Sequence, residues 1–172
     1  DVYISKLDSS GNFIWAKQIG GTDYVEGTCI QVDATGSNIY ITGAFWGTVD
    51  FNPNEGVLNI SSNGSRDIFI SKLNSLGNLV WAKSIGGIDA DRGHSIALDN
   101  SYNIYITGEY SGTTDFNPGI GVFNLTAVLG QDCFVTKLDE SGNFIWAKSI
   151  GGTGPKEPGN CIKLDSKGDI II

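Results

Sequence analysis

The chain has 172 residues and a formal net charge of −8, from 19 acidic and 11 basic side chains. That surface repels phosphate backbones and anionic lipid heads, so it argues against nucleic acid and membrane-surface partners. No stretch approaches the roughly 20 apolar residues of a membrane-spanning helix, and the 24 glycines and 10% aromatic content favour short strands joined by tight turns over helices.

A 21-residue phrase is written three times, at Asp1–Gly21, Asp67–Gly87 and Asp132–Gly152, with starts 66 and 65 residues apart. Repetition at a fixed period predicts one supersecondary unit stacked on copies of itself. In chain order, each unit opens with two strands, Val2–Leu7 and Phe13–Ile19 in the first copy. Between them lies the turn Asp8–Asn12, where Asp bonds the backbone two residues on and Gly11 adopts positive φ. The turn recurs at Asn74–Asn78 and Asp139–Asn143. A third strand, Thr28–Val32, and a fourth, Asn38–Thr42, alternate well and are β-branched and aromatic. After Gly43 comes a less regular excursion containing Asp-Phe-Asn-Pro, with a short strand or hairpin at Val57–Ile60 and at Val122–Leu125. Pro53 and Pro118 exclude a central strand there.

Four antiparallel strands per unit of 65–66 residues predict an all-β fold of tandem four-stranded blades of a β-propeller. The order from the channel outwards is Cys29–Asp33, Asn38–Thr42, Asp67–Leu73 and Asn78–Ile85. The chain then holds about 2.6 repeats: an outer half-blade at 1–21, blades at 27–87 and 93–152, and an inner half-blade at 159–172. Propellers close with roughly four to eight blades, so the expectation is part of a larger propeller whose remaining blades are its partners. The absence of Met and the start inside a repeat phrase point the same way.

Those phrases resemble the bacterial β-propeller family called SBBP repeats. The matching pieces are Asp67-Ile-Phe-Ile-Ser-Lys-Leu73, Trp81-Ala-Lys-Ser-Ile-Gly-Gly87, Ile96-Ala-Leu-Asp99 and Asn103-Ile-Tyr-Ile-Thr-Gly108. The excursion lengthens the usual unit, and the acidic loop after Gly-Gly fits at Asp23–Glu26 and departs most at Gly154–Pro158. The resemblance implies a secreted or cell-surface bacterial protein. It implies no catalytic residues.

Residues that break the repeat are where a ligand would be read. Trp46 stands where the next unit has Ser111, and could stack on a sugar, clasp a peptide or cover the hairpin beneath it. Asp23, Tyr24 and Glu26 lie on the loop after Gly-Gly, and Glu109 replaces Ala44. These five are the candidate ligand-binding residues, for a protein or glycan partner. The other pattern-breaking carboxylates are Glu55, Asp91, Glu140 and Glu157. No catalytic residue is singled out, and an enzyme would need two carboxylates converging from such positions. Asp50, Asn52, Asn54, Asp115 and Asn117 have the alternating oxygen spacing of a calcium loop, or of an Asx turn set by the neighbouring Pro. No cofactor is expected unless these oxygens hold calcium. Asp33, Asp99 and Asp165 either cap the turns that follow them or face the channel. His94 shares its slot with Thr28 and Asn160 and reads as structural; Cys29, Cys133 and Cys161 read as small buried residues. Trp15, Trp81 and Trp146 share a slot suited to packing between blades, and the sequons at Asn59, Asn63 and Asn124 lie on the excursion.

Overall fold

The structure, a computed structural model, describes residues 1–154, 156 and 158–172. Among them there is no helix, and so none able to cross a membrane. Glu157 lies outside the described residues. Fourteen strands follow in order. The first eight are β1 (Val2–Leu7), β2 (Phe13–Ile19), β3 (Tyr24–Val32), β4 (Asn38–Trp46), β5 (Thr48–Asp50), β6 (Asn59–Ser61), β7 (Asp67–Asn74) and β8 (Leu79–Gly87). They continue as β9 (Arg92–Leu98), β10 (Ile104–Asp115), β11 (Asn124–Leu138), β12 (Phe144–Ile150), β13 (Lys163–Leu164) and β14 (Ile170–Ile171).

All named ladders are antiparallel, and two four-stranded groups stand out, β3-β4-β7-β8 and β9-β10-β11-β12. The pairs β1-β2 and β13-β14 flank them. The strand order within each group is the expected one, and the architecture is that of an incomplete propeller.

Several boundaries differ from expectation. The inner strand starts at Tyr24 rather than Thr28, and β4 passes through Gly43 to Trp46. Gly43 does not stop the strand because it allows a close approach: a Cβ there would collide with the Glu26 carbonyl. Gly108 stands in the same relation to the Arg92 carbonyl. Opposite each, the inner strand carries a bulge, between Gly27 and Cys29 in β3 and opposite Thr107/Gly108 in β9. The extra residues are Thr28 and His94, and a bulge re-aims the side chain it inserts.

The excursion is also more ordered than expected. β5 pairs with β6, and β10 extends to Asp115 to pair with the start of β11, so the strands expected at Val57–Ile60 and Val122–Leu125 begin instead at Asn59 and Asn124. Each excursion reaches the outer strand of the preceding unit, through Gly20↔Asp50 in the first and Gly87↔Thr114 in the second. It also inserts a fully buried phenylalanine. Phe51 packs on Phe45 and Phe69, and Phe116 on Tyr110 and Phe134, with centroids 5.0–5.3 Å apart.

Three successive cores lie between neighbouring units rather than within them. The first joins Val2, Ile4 and Ile19 to Ile39, Phe45 and Phe69; the second joins Ile68, Ile70 and Ile85 to Ile96, Ile106 and Phe134; the third joins Ala97 and Val135 to Ile162. Exposure within one slot follows. Tyr3 is 72% exposed where Phe69 and Phe134 are fully buried, and Ile30 is 52% exposed where Ile96 and Ile162 are buried. The same logic corrects the cysteines: Cys133 is buried, Cys29 half-buried and Cys161 exposed, because among the described residues no further unit packs over the last slot.

Polar bonds repeat across the same boundaries. Lys6 Nζ and Trp15 Nε1 both donate to the Ser75 carbonyl, and Lys72 Nζ meets Glu140 in the equivalent turn at 2.9 Å. The tryptophan slot therefore does face the neighbouring unit.

The phrase begins with Asp and ends with Gly-Gly for one reason. A Cβ on Gly20, Gly86 or Gly151 would collide with Asp1, Asp67 or Asp132 across the hairpin. Asp67 is thereby buried, and one carboxylate oxygen has no hydrogen-bond partner among the described residues. Burial pushes its pKa up to about 7, and that of neighbouring Asp91 up to about 6 despite bonds from Gly87 N, Ser111 N and Thr114 Oγ1. The turn carboxylates go the other way. Burial opposes ionisation at Asp33, Asp99 and Asp139, but the hydrogen bonds they accept outweigh it and hold their pKa below the ordinary value.

Two predictions follow from this packing. Gly108→Ala should cost about 1–3 kcal/mol in denaturant melts, whereas Gly21→Ala, with open space at its Cβ, should stay within about 0.5 kcal/mol. A folded pKa raised above the unfolded value gives stability that is full below the unfolded pKa and lost as pH rises through the folded one. Asp67 and Asp91 should therefore make Tm climb as pH falls from about 8 to about 5. Asp67→Asn should raise Tm by several degrees at the upper end and little at the lower; a pH-independent difference would contradict this.

Candidate functional site

Strand direction sorts the loops onto two rims. The turns at Asp8–Asn12, Asp33–Ser37, Asn74–Asn78, Asp99–Asn103, Asp139–Asn143 and Asp165–Asp169 all lie at one rim. Each closes the same way: the leading Asp or Asn accepts backbone N–H groups two and four residues on. Asp33, Asp99 and Asp165 are thus turn caps, engaged with their own backbone.

The opposite rim carries Tyr24, Trp46, Arg66 and Glu109, which do not repeat. Tyr24 and Trp46 are cross-strand partners at the ends of β3 and β4, and both are about half exposed. With Ser65 and Arg66 they line an open recess of about 540 Å³. Arg66 also breaks the repeat, since Gln131 takes its slot. Tyr24 donates to Glu26 at 2.7 Å, and Glu26 receives Arg92 of the next unit at 2.6 Å. The Glu26 carboxylate holds the Tyr24 phenol above its usual pKa. The side chains are therefore held in a chain, Tyr24–Glu26–Arg92, that spans two units.

Further along the same rim stands Glu109, cross-strand from Arg92 and 4% exposed. His94, thrown out by the bulge, bonds the Gly159 carbonyl through Nδ1 at 3.1 Å, just as Thr28 bonds the Gly93 carbonyl at 2.6 Å. A carbonyl only accepts, so Nδ1 carries the proton. Nε2 then faces Glu109 Oε1 at 4.0 Å. Lys156 Nζ lies 3.4 Å from Glu109 Oε2, which has no hydrogen-bond partner among the described residues.

The other sequence candidates are differently placed. Asp23 accepts Thr48 N at 2.8 Å and fits against Gly47, so it secures the entry to the excursion hairpin. Asp89 fits against Gly112 in the next unit, which makes this a repeated structural slot. Asp50 Oδ1 accepts the amides of Asn52 and Leu58, and Asp115 Oδ1 those of Asn117 and Phe123. Asn52 and Asn117 accept the amides two residues on, and Asn54 links Lys17 Nζ to the Gly77 carbonyl. These oxygens form Asx turns and an inter-unit bridge. No group of three or more His, Cys, Asp and Glu with metal-holding geometry exists among the described residues.

Sequence reasoning missed Arg66, Arg92 and Lys156 at the rim. The signal for the first two was present, since Arg66 faces Gln131 and Arg92 faces Glu26 in the repeat alignment.

No family model matches the chain. It is 28% identical over its whole length to an uncharacterized WD repeat-containing protein, L264, of Acanthamoeba polyphaga mimivirus. It is 27% identical over 63% of its length to the regulatory protein FlaEY of Caulobacter vibrioides. The chain spans 14% and 11% of the lengths of these two proteins. With the strand order above, the first likeness describes a β-propeller-like repeat protein.

Proposed function

We propose that the chain is a non-catalytic binding scaffold, of the SBBP-repeat kind, from a secreted or cell-surface protein, and that it docks a protein partner on the rim that carries Tyr24, Glu26, Trp46 and Arg66. One observation carries this reading. Tyr24, Trp46 and Arg66, which break the repeat, meet at one rim, and two of them are aromatic rings left about half exposed next to each other. Tyr, Trp and Arg are the residues that supply most of the energy at protein interfaces, because they combine large contact area with directional polar groups. The opposite rim is built from repeated turns whose polar groups are already bonded to their own backbone. The similarity to a WD repeat-containing protein supports a repeat-based interaction scaffold. Three of the pattern-breaking carboxylates support a non-catalytic role. Asp91 is bonded to Gly87, Ser111 and Thr114, Glu140 to Lys72, and Glu26 to Tyr24 and Arg92, so each is held by its own partners.

Peptides selected from a random displayed library on the immobilised chain test the reading. Trp46→Ser installs the residue that the next unit carries and should weaken the selected peptides at least about tenfold, or 1.4 kcal/mol. Leu76→Ser, at an equally exposed residue on the opposite rim, should leave them unchanged. Peptides indifferent to Trp46→Ser, or a selection that succeeds only with a glycan array, would overturn the assignment.

A further inference from the structure

Two acid–base contacts cross the boundaries between units on this rim, and they are not alike. Glu26 and Arg92 meet at 2.6 Å, both partly exposed, with the second Glu26 oxygen taken by Tyr24. Glu109 is buried, with 6% of its side chain exposed, yet its Oε2 accepts no hydrogen bond among the described residues. The cation beside it, Lys156 Nζ, stands at 3.4 Å on a side chain that is 59% exposed. The Lys156 backbone forms an isolated bridge with Gln131, and its ammonium reaches Glu109 from the solvent side.

A carboxylate buried with an open oxygen is costly unless something completes it. The equivalent residue is Ala44, so stacking does not require an acid in this slot. His94 does not complete it. Its Nδ1 is engaged with the Gly159 carbonyl, and its Nε2 stands 4.0 Å from Oε1, beyond hydrogen-bond distance. The remaining group is the exposed Lys156 ammonium, which pairs with Oε2 at 3.4 Å but does not hydrogen-bond it.

We propose that Glu109 is the anchor of a cation-binding site, and that it takes a lysine or arginine side chain of a protein partner in the place that Lys156 covers in the free chain. A buried carboxylate selects a cation with N–H donors, because such a group supplies both the charge and the missing hydrogen bond. The net charge of −8 draws a basic segment to this surface before contact. Glu109 lies on the same rim as the Tyr24–Trp46 recess, so a basic side chain here and an apolar one there would belong to one bound segment. The inference rests on the rim assignment above and adds the chemistry of the partner.

The probe is a hexalysine peptide, titrated at low salt against the parent and three variants. Glu109→Gln should weaken binding at least about fivefold, and Glu55→Gln, which removes the same charge from an exposed site, less than about twofold. Lys156→Ala should strengthen binding, because the covering group is gone. Stability gives the second readout: Glu109→Gln should leave Tm unchanged or higher, since it removes an incompletely bonded buried charge. Equal weakening by Glu109→Gln and Glu55→Gln would reduce the effect to bulk charge and overturn the proposal. So would a Lys156→Ala variant that melts earlier and binds no better, which is the behaviour of a purely structural ion pair. If Trp46→Ser abolishes binding of library peptides while Glu109→Gln leaves hexalysine binding unchanged, the rim stands and the cation site falls.

Discussion

The distance between neighbouring units is set by glycine, and the rest of the molecule follows from that distance. A Cβ on Gly93 would collide with Thr42 Oγ1 of the preceding unit, and one on Gly159 with Thr107 Oγ1. Within each unit, Gly43 and Gly108 let the inner strand bulge against them. The two demands are coupled. The bulge turns Thr28 and His94 out of the ladder, and the close approach places the Gly93 and Gly159 carbonyls where those side chains can bond them. Inner strands so pinned bring the apolar faces of successive units together. The outer strands can then be fastened by Lys6, Trp15, Lys72 and Lys83, all of which bond the turn of the next unit.

Because the cores form between units, no unit is stable alone, and each face is as buried as its neighbour makes it. The slot of Tyr3, Phe69 and Phe134 shows this within one chain, since one chemical type passes from open to sealed as units are added on either side. The excursion acts on the same boundary. Its hairpin crosses from its own unit to the outer strand of the one before, and Phe51 or Phe116 fills the gap left under the crossing. What would otherwise be a long irregular loop is a strap with an aromatic plug, which is why it tolerates Pro53 and Pro118 at its tip.

The strands and turns were legible in the sequence because period-2 alternation and Asx-Gly chemistry are local. Asn74 replacing Asp8 already pointed to a turn cap rather than an acid, and the bonds to Leu76 N and Asn78 N bear it out. Apart from the tryptophan slot, features that depend on a neighbouring unit were not legible. Nothing local in Asp-Phe-Asn-Pro says that its phenylalanine is a plug between units, although its recurrence at Phe51 and Phe116 was a clue. Gly43 read as the end of a strand because glycine usually breaks one; here it is what lets the strand continue past a bulge. Glu109 was visible as a break in the repeat, but its contact with Lys156 joins residues from different units, which no periodicity reveals.

Stacking also explains why variation collects where it does. At the turn rim a substitution must preserve an acceptor for two amides, so Asp gives way only to Asn. At the other rim Gly43 and Gly108 already satisfy the stacking geometry, and side chains at the strand ends, such as Tyr24 and Trp46, are released from it. Tyr24, Arg66 and Trp46 can differ from unit to unit at no cost to the fold. Burial separates what such freedom has produced. Glu26 sits half open in a closed set of bonds, whereas Glu109 is buried with an oxygen unbonded. A residue that neither the repeat nor the ladder demands, held in a state that its own chain does not complete, is better accounted for by a group from outside than by packing.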